Sequence, residues 1–167
     1  IMCDAAQKIE RAGGDCVLLG ANTMHNIADK VQAAVQIPLL HIADVTAKAI
    51  QQKGINKVAL LGTRYTMQFD FYKNKLASYG IETIIPGADG IEFVNNAIYN
   101  ELGKGKFLAE TKQGFLEIID KLSAEGAQGA ILGCTEIPML IKQSDTALPV
   151  FDTTLLHATA AVDFALG

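Results

Sequence analysis

Ile131-Leu132-Gly133-Cys134-Thr135-Glu136-Ile137-Pro138 reads as a buried strand that breaks at a glycine and presents a cysteine at the start of a turn. Leu18-Leu19-Gly20-Ala21-Asn22-Thr23-Met24-His25 has the same layout without a cysteine, and the two share their approaches, Gly13-Gly14-Asp15-Cys16-Val17 and Gly126-Ala127-Gln128-Gly129-Ala130. A third copy of the pattern is Lys57-Val58-Ala59-Leu60-Leu61-Gly62, followed by Thr63. Strand, glycine and polar turn therefore recur at Gly20, Gly62 and Gly133. Working outward from them, apolar runs alternate with helix-spaced segments along the chain. That alternation is the signature of a parallel α/β sheet, and ligands in such sheets sit beyond the carboxyl ends of the strands. Three threonine-containing turns are expected to gather at one edge.

In chain order, Ile1, Ala5 and Ile9 line one side of an opening helix that stops at Gly13-Gly14. Cys16–Leu19 is a short apolar run, expected as a strand covered on both faces. Asn22 or Thr23 can cap a helix through Val35, with Ile27, Val31 and Val35 at every fourth position. Leu39-Leu40 predicts a short strand and residues 44–52 a helix. After the strand at 57–62 comes a turn, then a helix carrying Phe69, Tyr72 and Leu76 on one side. Ile81–Ile85 alternates between Gly80 and Pro86 as a strand. Val94, Ile98 and Leu102 mark one helix, and Phe115, Ile118 and Leu122 another. A short helix follows Cys134, then a strand at 148–151 and a terminal helix from about Thr154. The expected division is a partial N-terminal domain over 1–45, with the helix 154–167 returning to it, and a second domain over 46–153. The opening residues read as the middle of a helix rather than a chain start, so N-terminal strands are expected to be missing.

The 167 residues are 50% hydrophobic and 19% charged, a globular composition. A net charge of −4 with no basic stretch gives no footprint for nucleic acid. No apolar run approaches the roughly 18 residues of a membrane span. Cys3, Cys16 and Cys134 form no CxxC pair, which argues against a disulfide scaffold or zinc site and fits a reducing cytoplasm. The three histidines show no metal spacing, and HExxH, GxGxxG and GxxxxGK[ST] are absent. Metal and nucleotide chemistry thus have no motif behind them.

Cys134 is the residue type and position most suited to chemistry. It stands between a strand and a helix, where a helix N-terminus would lower the thiol pKa; the competing reading is a small buried hydrophobe. Asn22, Thr23, Thr63 and Thr135 put hydroxyl and amide groups beside helix-start N–H groups, a combination that suits a carboxylate, or else they are simple N-caps. Lys104, between Gly103 and Gly105, is free to meet an anion or to remain a solvated loop lysine. Glu136 could polarise a neighbouring group or cap the helix. Cys3 and Cys16 read as packing residues.

Asn22-Thr23-Met24-His25, Gly133-Cys134-Thr135-Glu136-Ile137 and Phe151-Asp152-Thr153-Thr154 together resemble the aspartate/glutamate racemase family, closest to its aspartate racemase branch. Pro38–Asp44 and Leu61-Gly62-Thr63-Arg64 are similar to that branch as well. The resemblance implies two pseudo-symmetric parallel-sheet α/β domains with the active site between them. It also implies no cofactor, a small acidic amino acid such as aspartate or glutamate as substrate, and a homodimer. Two cysteines would face opposite sides of the substrate α-carbon, one taking a proton as thiolate and the other delivering one as thiol. Cys134 matches the second. Asn22, Thr23 and Thr135 would hold the α-carboxylate with Thr63 nearby, Ala21 would also line the substrate site, and Lys104 would lie near the side-chain carboxylate; Glu136 is a candidate support for Cys134. The first-cysteine position, directly before the Ala21–His25 run, is Gly20, which has no side chain to carry a proton. Three readings follow: a racemase in which another group serves the open face, a single-cysteine decarboxylase of malonate-type acids, or a binder of acidic amino acids.

Overall fold

The computed structural model describes residues 1–167 and contains one four-stranded parallel sheet with helices on both faces. The strands are β1 (Lys57–Gly62), β2 (Glu82–Ile84), β3 (Ala130–Gly133) and β4 (Val150–Asp152), in the order β2-β1-β3-β4. The central pair explains why these residues are strands. In β1, Ala59 and Leu61 point into one apolar layer and Val58 and Leu60 into the other; in β3, Ala130 and Leu132 join the first layer and Ile131 the second. Unbroken apolar runs of this kind are what a strand buried on both faces requires.

The first layer is closed by α6 (Ala88–Asn100) and α7 (Ala109–Ala124), through Val94, Ile98, Phe115 and Ile119. The second is closed by α3 (Ile42–Gln52) and α5 (Asp70–Ala77), through Ile42, Ala47, Tyr72 and Leu76. A short α4 (Arg64–Gln68) follows β1, and α8 (Ile137–Leu140) follows β3. Phe69, expected on a helix's apolar side, falls instead at the extended break between α4 and α5 and is 44% exposed.

The opening region has its own small core. Ala6 from α1 (Met2–Arg11), Val17, Leu19, Val35 and the Ala28 and Val31 of α2 (Ala28–Gln32) form it. The strands expected at 16–19 and 39–40 reduce to a single parallel bridge between Val17 and Leu39. Burial there is one-sided: Val17 and Leu19 face α1 and α2, while Leu18, pointing the other way by strand alternation, is 37% exposed. The single helix expected through Val35 is broken, with a 3₁₀ turn over Thr23–Ile27 and then α2, because Ile27 departs from helical dihedrals.

The final helix α9 (Thr153–Leu166) packs chiefly on α3 and also against β3 and β4. It meets the first unit through two hydrogen bonds, Asn22 to Thr153 and His157 to the Leu40 carbonyl. Because Ile42 and Ala43 belong to the second core, we propose that the two units divide at residues 40–41, ahead of α3, rather than at 45.

Candidate active site

β1 and β3 end in register, Gly62 opposite Gly133, which sets Thr63 and Cys134 side by side beyond the carboxyl edge of the sheet. Close approach dictates both glycines. A Cβ on Gly62 would lie 2.9 Å from the Gly133 carbonyl oxygen, and one on Gly133 2.9 Å from that of Leu61. Gly20 differs, since a Cβ there would meet nothing within 4 Å. Gly20 is therefore not required by packing.

At this edge a cavity of about 310 Å³ is lined by Ala21, Asn22 and Thr23 from the first unit and by Thr63, Cys134, Thr135 and Glu136 from the second. Three separate turns thus meet there. Thr63 caps α4, accepting from the Thr66 amide at 3.3 Å. The hydroxyls of Thr23, Thr63 and Thr66 lie 3.1–3.2 Å from one another in a closed triangle. Each hydroxyl can donate only once, so they satisfy one another until an anion offers a stronger acceptor.

Asn22 is buried and does not cap the turn that follows it. Its Nδ2 donates to Thr153 Oγ1 at 3.0 Å, and Thr153 Oγ1 donates to the Leu132 carbonyl at 3.0 Å. The Leu132 carbonyl can only accept, so this chain fixes the orientation of the amide. Asn22 Oδ1 is left buried without a partner. A group in that condition costs free energy until a donor reaches it, and an ammonium is such a donor.

The Cys134 thiol donates to Glu136 Oε2 at 2.9 Å, and the Thr135 hydroxyl donates to the same oxygen at 2.7 Å. The effect on the thiol is opposite to the expectation from a helix N-terminus. Burial first, then the hydrogen bond and negative charge of Glu136, push its pKa up to about 12, against weaker lowering by the backbone amides of Glu136 and Thr135. No helix dipole offsets this, because α8 has four residues and begins three positions after Cys134. For Glu136 burial acts to raise the pKa, but the hydrogen bonds from Cys134, Thr135 and its own amide together hold the carboxyl below its usual range. At rest the pair is a thiol on a carboxylate.

Lys104 is not among the residues that line the cavity. It ends the 3₁₀ turn Leu102–Lys104 and is exposed, while its neighbour Gly103 lines the cavity. Residues given no site role from the sequence also belong here: Ile98 and Tyr99 of α6 form part of the wall, Thr66 completes the hydroxyl triangle, and Thr153 orients Asn22. Thr66 carried a signal, since it lies one turn after a threonine in N-cap position. Tyr99 carried none, because its place on the wall depends on how α6 packs. Cys3 donates to the Lys30 carbonyl, and neither Cys3 nor Cys16 lines the cavity.

Fold and cavity together define an α/β protein with a thiol–carboxylate pair and a hydroxyl cradle at the strand ends. The chain belongs to the Asp/Glu/Hydantoin racemase family, whose model matches residues 1–161. It is 26% identical over 159 residues to the broad specificity amino-acid racemase RacX of Bacillus subtilis, covering 95% of this chain and 68% of that one. Among solved structures it is similar to a Yersinia pestis protein provisionally assigned as an Asp/Glu racemase, at 47% identity and a TM-score of 0.95. An aspartate racemase homologue from Pyrococcus horikoshii matches at 38% identity and a TM-score of 0.91. Both alignments cover 99% of this chain and 73% of the other.

Proposed function

We propose that this protein is a cofactor-independent amino-acid racemase that exchanges the α-proton through Cys134. The observation that carries the reading is the Cys134 thiol held on the Glu136 carboxylate within a cavity rich in hydroxyl groups. Asn22 lines the cavity and its Oδ1 has no partner, and in this proposal that oxygen takes the α-ammonium of an amino-acid substrate. The hydroxyls of Thr23 and Thr63 and the backbone near Thr135 take the α-carboxylate. Aspartate and glutamate are the first substrates to test, with Lys104 as the rim cation that would meet a side-chain carboxylate.

In this mechanism the thiolate form of Cys134, whose thiol rests on Glu136, removes the α-proton. The carbanion is then reprotonated, by the thiol on the same face or from the opposite face. Gly20 brings no side chain to that opposite face, so water delivers the proton there and inversion is slower than exchange. A cytoplasmic homodimer is part of the same proposal.

A second reading, decarboxylation of a malonate-type acid with Cys134 protonating the product carbanion, is favoured by the raised thiol pKa and by Gly20. The experiment is incubation of an amino-acid panel in heavy water, followed by mass spectrometry and chiral chromatography. Deuterium at the α-carbon with slower loss of chirality supports the racemase. Carbon dioxide release from substituted malonates without any amino-acid exchange supports the lyase.

A further inference from the structure

Three histidines that the proposed chemistry does not use meet where the first unit joins the second. His25 lies in the turn after Thr23, His41 stands immediately before α3, and His157 is in α9. The His25 ring centre is 4.6 Å from that of His41 and 5.6 Å from that of His157, edge-on in both cases.

Hydrogen-bond geometry fixes the state of His25. Its Nδ1 is 3.0 Å from the Ala21 carbonyl oxygen, which can only accept, so Nδ1 carries a hydrogen. Its Nε2 is 3.2 Å from the Ile42 amide nitrogen, which can only donate, so Nε2 keeps its lone pair. Only the neutral Nδ1–H imidazole satisfies both. Ile42 is the first residue of α3, and its amide is one of those a helix leaves without an internal partner. Ala21 lines the cavity and directly precedes Asn22 and Thr23. One buried ring therefore bridges the cavity loop of the first unit and the leading end of a core helix of the second.

The neighbours hold the same joint. His41 Nδ1 accepts from the Ala43 amide at 3.1 Å, and His157 Nε2 donates to the Leu40 carbonyl at 2.6 Å. The charged side chains that act on His41 are Asp44, Lys75 and Asp29, and Lys75 pairs with Asp44 at 3.4 Å. None of them hydrogen-bonds His25. Burial, then the charge of His41, holds the His25 pKa at about 4, which agrees with the neutral ring.

We infer that His25 is a positioning residue of the active site, tying the Ala21–Thr23 loop to α3 and so setting Asn22 and Thr23 against Thr153, Thr63 and Cys134. It touches no reacting atom. The need for such a tie follows from the fold: the first unit has a small core and one backbone bridge, yet Thr23 must reach hydroxyls of the second unit at 3.1 Å. The inference rests on reading the cavity as an amino-acid site.

The test compares His25→Phe, which keeps the ring but removes both hydrogen bonds, with His25→Gln, whose amide oxygen restores an acceptor towards Ile42. In the α-proton exchange assay His25→Phe raises KM about tenfold with kcat changed less than about threefold, and His25→Gln recovers most of the loss, as expected for hydrogen bonds that order the loop. A merely structural residue would lower Tm and leave the KM of the folded protein unchanged, and that result overturns the inference. Nitrogen-15 spectra of His25 and hydrogen exchange at the Ile42 amide read the tie without turnover. An Nδ1–H tautomer, together with amide protection lost in His25→Phe and regained in His25→Gln, supports it; an Nε2–H tautomer or unchanged protection overturns it. Absence of amino-acid exchange in the wild type would strike the proposed reaction, while these two spectroscopic readouts would still decide the tie.

Discussion

Replacing Glu136 by Gln removes the charge that faces the Cys134 thiol while keeping an oxygen for it to donate to. Burial, the largest cause of the raised pKa, is untouched, so the thiol stays above its ordinary value. What changes is the difference between a hydrogen bond to a charged acceptor and one to a neutral acceptor, about 1–2 kcal/mol. That corresponds to a fall of about one pKa unit, and loss of the through-space charge extends it towards about two. At pH 8 the thiolate fraction, about 10⁻⁴ for a pKa near 12, rises about 10- to 100-fold. A less basic thiolate is also a weaker nucleophile, which takes back about 3- to 10-fold. The net expectation is that Cys134 of the variant reacts about 3- to 10-fold faster with a small disulfide reagent. Peptide mapping separates Cys134 from Cys3 and Cys16, and the rate is followed from pH 7 to 10. A wild-type Cys134 that titrates near 8.5–9, or a variant no more reactive than wild type, would refute the Cys134–Glu136 coupling.

Other expectations follow from the same geometry. For His25 the folded pKa of about 4 lies below the unfolded value of 6.5, so its contribution is full above 6.5 and is lost as pH falls towards 4; the loss of about 3 kcal/mol should appear in denaturant titrations from pH 7 to 4 and shrink in His25→Gln. Gly133→Ala should cost about 1–3 kcal/mol in thermal or denaturant unfolding, since its Cβ would press on the Leu61 carbonyl, whereas Gly20→Ala should be within about 0.5 kcal/mol of neutral. Gly20→Cys should fold and raise the ratio of inversion to exchange, and an unchanged ratio would detach Gly20 from the first-thiol position. Thr153→Val should cost about 1–3 kcal/mol and raise the KM for amino acids, because the Asn22 amide and the Leu132 carbonyl lose their buried partner.

The second unit is legible in the sequence because its central strands, β1 and β3, are apolar runs buried on both faces, and Gly62 and Gly133 mark where they end. The first unit is less so. Val17-Leu18-Leu19 has the same composition as a doubly covered strand, and nothing local shows that α1 and α2 cover only one side of it. Cys134, Thr135 and Glu136 are legible as a motif, but the sign of the thiol's pKa is not. It depends on which way the Glu136 carboxylate turns, and that is settled by packing around a helix too short to act as a dipole. Asn22 reads equally well as a cap; only the fold places Thr153, 131 positions later, against its amide. Tyr99 and His25 carry no chemical signature in one dimension, since the roles of both depend on the docking of separate elements.

The most direct test of the central claim is α-deuterium incorporation into aspartate, glutamate and neutral amino acids in heavy water by wild type and Cys134→Ser. The account predicts time-dependent incorporation with slower racemisation in the wild type and neither in the variant. Wild-type rates of exchange in Cys134→Ser would contradict it.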